Sequence, residues 1–260
     1  MAASLLHERN IALLLEYDGT RYAGWQRQKN AVSVQEKLEH ALTRVTGEPI
    51  TVVGCSRTDA GVHAWGHVSN FTTASRIPVE KLPLAVQTAL PRDIVVLGAA
   101  TVPPDFNARF AAVGKRYIYQ IWNHPRPSAI RGRFYLHEPR SLNCEAMRVA
   151  AAHLVGRHDF SSFMATGSTA RTTVRTLSRV EVTATGPAVR IIVEGDGFLY
   201  NMVRIIAGTL LYVGLGKIAP VEIPAVVMSG ERNRAGKTLP AKGLFLEAVQ
   251  YDPPLFDFSE

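Results

Sequence analysis

The feature that most constrains this chain is an order of elements that occurs twice. Residues 11–16 are a short apolar run ending at Asp18-Gly19, a strand followed by a turn. Ser33 then precedes Val34, Leu38, Ala41, Leu42 and Val45 at spacings of three and four, stopped by Gly47, which predicts a capped helix. Residues 49–53 and 67–72 read as strands around a glycine-bounded loop, 78–90 has helical spacing, and 93–97 is again strand-like. The order is β-α-β-β-α-β.

The second half repeats it. Residues 116–122 alternate as a strand and 144–154 have helical spacing. Residues 177–183 and 189–195 form a hairpin around Gly186-Pro187. A helix over about 199–215, a short helix at 222–228 and a strand at 244–251 close the chain. The expected fold is α+β: two tandem ferredoxin-like halves with antiparallel sheets, helices on one face of each, and a central cleft. The boundary falls near Pro103-Pro104, giving halves 1–103 and 104–260.

Composition narrows the class. With 260 residues, 47% of them hydrophobic, the chain buries a large core without staples. The 29 Lys plus Arg exceed the 22 Asp plus Glu by seven, which suits a polyanionic partner. Two dispersed cysteines, Cys55 and Cys144, are too few for a disulfide framework or a thiolate metal cage, and point to a reducing compartment, by default the cytoplasm. Residues 1–10 read as a frayed start, since charges and a histidine stand where a signal peptide needs an apolar run. Asn201, Arg204 and several glycines interrupt residues 198–215, the most apolar stretch, which therefore reads as a buried helix instead of a membrane span.

Chemistry concentrates in Gly54-Cys55-Ser56-Arg57-Thr58-Asp59-Ala60-Gly61-Val62-His63-Ala64. An arginine two residues before an aspartate shares its side of an extended chain, where the cation keeps the carboxylate ionised and aimed. An ionised carboxylate is a competent nucleophile at a sugar carbon. From spacing alone, an Arg–Asp pair holding a turn is the commoner reading. His63 and His67 with Asp59 suggest a metal site, but Gly61 and Gly66 argue against a helix across the two histidines, and the expectation is that without a helix this spacing does not put them on one face.

Other segments fit RNA. The stretch 16–28 mixes Tyr17, Tyr22 and Trp25 with Arg21, Arg27 and Gln26, a loop able to hold phosphates and stack bases, or a structured turn with Trp25 in the core. Asn107-Ala108-Arg109-Phe110 precedes Lys115-Arg116-Tyr117-Ile118-Tyr119, where Tyr117 facing a cleft could stack on an extruded base. Residues 161–179 carry Arg171, Arg175 and Arg179 among hydroxyl side chains and read as a basic lid or a solvated surface. Arg204 lies on an apolar helix and needs a carboxylate, with Asp59 the expected partner.

Together these segments resemble the TruA family of transfer-RNA pseudouridine synthases over nearly the whole chain. The matching motifs are Tyr17-Asp18-Gly19-Thr20 with Gly24-Trp25-Gln26, the run 57–64, residues 106–110 with Arg116-Tyr117, residues 198–204, and Gly243-Leu244-Phe245-Leu246. Ser56 stands where the family often has glycine. The resemblance implies that Asp59 is the nucleophile, that Arg57 and Arg204 stand beside it, and that Tyr117 stacks on the base. It also implies a homodimer acting on uridines of the tRNA anticodon stem-loop (positions 38 to 40), with no metal and no cofactor. Arg21, Trp25, Gln26, Arg109 and Arg116 are the further candidates for substrate binding. Neither G-x-x-x-x-G-K-[ST] nor G-x-G-x-x-G occurs, consistent with an isomerisation that needs no nucleotide. The rival readings are a non-catalytic RNA-binding protein, which would show no turnover, and a metal-dependent hydrolase on Asp59, His63 and His67, which chelation would abolish.

Overall fold

The structure is a computed structural model that describes residues 8–168 and 170–256. The chain is mixed α and β and divides into two compact units, one built from the chain up to Val113 and from Leu246 onward, the other from Gly114–Phe245. The expected frayed start falls mostly outside the described residues, but Arg9 and Asn10 already belong to the first strand.

In the first unit, β1 (Arg9–Tyr17) lies between β3 (His63–Thr73) and β4 (Ile94–Val102), antiparallel to both. Leu13 stands opposite Ser69 on one side and Ala99 on the other. Ile11 through Leu15 are all buried, which is why the segment reads as a continuous apolar run instead of an alternating one. Helix α1 (Val34–Thr46) begins where Ser33 Oγ accepts from the Glu36 N–H, and ends at Gly47, whose φ of 77° is the left-handed conformation that glycine adopts without cost. A 3₁₀ turn at Val79–Lys81 leads into α2 (Leu82–Gln87).

The strand expected at 49–53 shrinks to β2 (Val53–Gly54), antiparallel to β3. The reason lies on α1. Val52 N–H donates to Glu39 Oε1 (3.2 Å), Gln35 Nε2 donates to Val52 O (3.1 Å), and Ile50 N–H donates to Thr43 Oγ1 (3.2 Å). Helix side chains thus satisfy backbone groups that a ladder would otherwise take. At the other end of the loop, β3 begins at His63, four residues earlier than its apolar pattern suggests.

In the second unit, β9 (Ala188–Gly195) pairs antiparallel with β5 (Ala112–Asn123) and β8 (Val174–Thr185), and β7 (Gly156–Asp159) extends the edge beyond β8. A short parallel strand, β6 (Leu136–Glu138), lies along β5, an exception to the expected all-antiparallel pairing. Helix α3 (Cys144–Ala152) is capped by Asn143, helix α4 (Met202–Gly214) is almost wholly buried, and α5 (Ile223–Ser229) precedes β10 (Leu244–Tyr251), which runs into the first unit's share of the chain. The helix expected from 199 starts at 202 because Asn201 sits at φ 60°, left-handed backbone that cannot lie inside a right-handed helix. Among the described residues, no helix is long and apolar enough to cross a membrane.

Candidate active site

Asp59 sits half-buried in the loop between β2 and β3, and the stretch after β1 holds that loop by its backbone. Trp25 N–H donates to Thr58 O (3.1 Å), Gly61 N–H donates to Tyr22 O (3.2 Å), and Tyr17 Oη lies 2.8 Å from Thr58 Oγ1. Val62 N–H closes the turn onto Asp59 O (3.1 Å). Glycines make the approach close enough. A Cβ on Gly24, whose φ is +93°, would stand 2.3 Å from Thr58 O, and one on Gly19 would stand 1.9 Å from Val62 O. Only a residue without a side chain fits either place.

The aromatic residues of that stretch lie under the loop. Trp25 is 2% exposed, its ring stacked on His67 at 3.7 Å, and a Cβ on Gly54 would stand 2.3 Å from its indole nitrogen. It lies beneath the loop and supports it, the core placement that the sequence left open beside base stacking. Gln26 donates to Gln35 Oε1 (2.9 Å), tying the stretch to α1. Arg21 is at the surface, with Nε and Nη2 2.9 and 2.6 Å from Asp93 Oδ2, and Tyr22 Oη donates to Asp93 Oδ1 (2.6 Å). Burial, and then this hydrogen bond, push the Tyr22 phenol well above its ordinary range.

His63 and His67 do share a face, contrary to the expectation that only a helix would bring them together. A strand returns side chains to one side every second residue, so positions four apart on β3 point the same way. Their contacts separate them: Gly19 N–H donates to His63 Nδ1 (3.0 Å), with Asp18 Oδ1 3.1 Å from the same nitrogen, while His67 stacks on Trp25 and turns Nε2 toward Ser56 O (3.2 Å). Among the described residues, no group of three or more His, Cys, Asp or Glu side chains is gathered to hold a metal ion. Arg57 is exposed and makes no hydrogen bond or ion pair among the described residues.

Arg109 is exposed, its guanidinium 5.6 Å from the Phe110 ring centre. Its segment is anchored by a polar cluster that the apolar patterns hid: Asn70 Nδ2 donates to Asn10 Oδ1 (3.0 Å), Ala108 N–H to Asn70 Oδ1 (2.8 Å), and Tyr251 Oη to Ala108 O (2.8 Å). The legible signal was an asparagine inside the strand-like run 67–72 and another just before the run 11–16, since a buried amide needs partners of its own.

In the second unit, Tyr117 on β5 is 6% exposed and meets Phe198 edge-on at 5.0 Å. Its neighbour Arg116 pairs with Glu194 on β9, Nε to Oε2 at 2.7 Å. Arg204, half-buried in the first turn of α4, donates from Nε to Leu239 O (2.7 Å) and from Nη1 to Asn201 Oδ1 (2.6 Å). Leu239 N–H in turn donates to Arg204 O (3.2 Å). The irregular strap around Leu239 lies against α4 at two glycines: a Cβ on Gly208 would stand 1.8 Å from Lys237 O, and one on Gly236 would stand 2.3 Å from Gly208 C.

A family model described as "tRNA pseudouridine synthase" matches residues 13–111 and 150–252. The chain belongs to this family. Proteins named tRNA pseudouridine synthase A from Acetivibrio thermocellus and Ruminiclostridium cellulolyticum are each 49% identical to it, over 243 and 244 residues, covering 94% of this chain and 100% of theirs. The one from Clostridium acetobutylicum is 48% identical over 243 residues with the same coverage. A pseudouridine synthase is an isomerase, and both matched stretches of the family model include segments described above: the Asp59 loop with its supporting stretch in the first, α4 with its strap in the second.

Proposed function

We propose that the chain converts uridines of the tRNA anticodon stem-loop into pseudouridine, with Asp59 as a covalent nucleophile. The observation that carries this reading is the Asp59 loop itself. A half-buried carboxylate is set on a turn whose backbone is pinned by close contacts at glycines, which supports a loop that is fixed before substrate arrives.

The reaction balances without an added reagent. The bond between the sugar C1′ and the base N1 breaks, the base turns, C5 bonds to C1′, the C5 hydrogen leaves as a proton, and N1 gains one. A carboxylate that bonds transiently to the sugar or to the base keeps the two fragments together between the two bond changes. Arg57, exposed beside Asp59 in the loop, suits an incoming phosphate or the reacting carboxylate. Arg204 as a carboxylate partner and Tyr117 as the ring that packs on the base enter from the family resemblance. The near-complete burial of Tyr117 means that a base reaches its face only if a neighbouring side chain moves, and Phe198 is packed against it.

The same reading takes the two units as diverged ferredoxin-like halves. It is supported by the order β4-β1-β3-β2 in the first unit and the corresponding β5-β9-β8 run in the second. We take the working form to be a cytoplasmic homodimer, which sedimentation of the purified chain would test.

The reaction is tested by tritium at C5 of uridine in unmodified tRNA, since conversion must release it to water. With chelator present, the wild type releases tritium from anticodon-stem-loop positions. Asp59→Ala loses at least roughly 10⁴-fold in rate, the scale of removing a covalent nucleophile, while still binding tRNA. Release by Asp59→Ala at the wild-type rate would remove Asp59 from the chemistry.

A further inference from the structure

Between β5 and β6, residues 124–133 form a loop that none of the motifs above includes. From Trp122 to His137 the sequence holds Arg126, Arg131 and Arg133 and no Asp or Glu. A run of arginines is ordinarily a solvated face, but this one is built. Trp122 Nε1 donates to Arg126 O (3.2 Å), Gly132 N–H donates to Ser128 O (2.8 Å), and Arg131 N–H donates to Ser128 Oγ (3.1 Å). His137 Nε2 lies 2.8 Å from His124 O. From the end of the following strap, Lys242 Nζ donates to Gly132 O (2.9 Å), adding its charge to the loop.

The display that results is specific. The Arg131 guanidinium lies 4.7 Å over the Trp122 ring, itself edge-on to Tyr135 at 6.4 Å, so cation and rings form one platform. Arg126, Arg131 and Lys242 are exposed, and among the described residues none has a carboxylate within ion-pair reach. The nearest acidic residue along the chain, Glu138, is already held by Arg140 through two bonds of 2.7 and 2.8 Å. Arg131 is held over its ring and Lys242 on the Gly132 carbonyl, Arg126 stands exposed on the same backbone-bonded loop, and three cations without a counter-charge suit an anionic partner with spaced charges. A second copy of this chain is a poorer fit, because an isologous contact would bring the same positive patch against itself.

We propose that the loop 124–133 with Lys242 is a binding surface for the phosphodiester backbone of the substrate RNA, with Arg126, Arg131 and Lys242 each meeting a phosphate. This rests on the reading of the chain as a tRNA enzyme. Phosphate contacts fix register and orientation without reading sequence, so the surface would hold the RNA while other residues select the uridine.

The test is equilibrium binding of unmodified tRNA to the full-length chain across a salt series, for the wild type and for Arg126→Gln/Arg131→Gln/Lys242→Gln. Losing three phosphate contacts should make the slope of log affinity against log salt shallower by about 2 to 3. Arg126→Lys/Arg131→Lys, which keeps the charges, should restore most of the slope and shows that the loss is not one of folding. An unchanged slope in the Gln variant overturns the proposal, as does a slope lost equally in the Lys variant. So does a fall in sedimentation mass that accounts for the lost affinity, which would make the occupant a second copy. Because binding is read without turnover, a wild type that binds tRNA but releases no tritium defeats the reaction and leaves this comparison decisive.

Discussion

The loop that carries Asp59 and the helix that carries Arg204 are both steadied by backbone laid directly on glycine, yet the two glycines do different work. Gly24 lies in an irregular stretch at φ +93°, so its place demands glycine twice, by conformation and by the 2.3 Å approach of Thr58 O. Gly208 lies inside α4 with ordinary helical backbone, and only the strap at Lys237 O forbids a side chain there. The first arrangement fixes the backbone of the loop that carries Asp59. The second fixes the strap whose Leu239 carbonyl receives the Arg204 guanidinium. Aiming is therefore direct at Asp59 and passes through a hydrogen bond at Arg204.

The largest effect should come from the packing beneath the Asp59 loop. Trp25→Ala removes a fully buried indole that stacks on His67, and a change of that kind costs about 3–5 kcal/mol. The expected result is a large drop in melting temperature together with lost turnover. Arg21→Ala, which removes only a surface partner of Asp93, should barely move the melting temperature. If Trp25→Ala folds as well as the wild type while tRNA affinity falls, the ring faces RNA and the support role is wrong.

The two glycines separate next. Gly24→Ala should lower turnover about 10²-fold, the cost of displacing a reacting group by about an ångström. Its melting temperature should fall as well, from backbone strain of about 1–3 kcal/mol. Gly208→Ala should separate the two readouts: overpacking of about 1–3 kcal/mol, read as a lower melting temperature, with a milder loss of turnover at a temperature where the variant stays folded. Single-turnover tritium release compared with thermal melts reads both. Equal losses of turnover in the two variants would erase the distinction between direct and relayed aiming.

How much of this was legible in the sequence follows from the length scale of each signal. Helix α1 could be read almost to its ends because Ser33 and Gly47 act within one turn of their own positions. The loss of the expected strand 49–53 could not be read, because the groups that take up the Val52 backbone, Glu39 and Gln35, lie on a helix one turn apart and reach it only in three dimensions. The strands β6 and β7 are three and four residues long and mostly polar, too short to show a period. At the site, the run 57–64 and the stretch 17–26 could each be recognised, but not that one lies on the other. Trp25 looked equally suited to stacking on a base and to the core, and only its burial decides between them.

The smallest effect lies apart from both glycines and sets a baseline for them. Glu138 is buried on β6, and hydrogen bonds from the Arg140 side chain hold its carboxyl below the ordinary carboxylate range against the opposing pull of burial. Because the folded carboxyl binds its proton less readily than the unfolded one, the unfolded state gains protons first as pH falls. The stabilisation is complete above the unfolded value, near 4.3, and fades as pH drops through the folded one. Arg140→Gln removes the donor, so the variant should melt slightly below the wild type at neutral pH, with the gap closing on acidification. The tritium-release rate per folded molecule should be unchanged throughout, because Glu138 and Arg140 hold the end of β6 to its own neighbours, Asn123 among them. A gap that widens toward low pH would mean that burial outweighs the arginine and that the Glu138 carboxyl is raised.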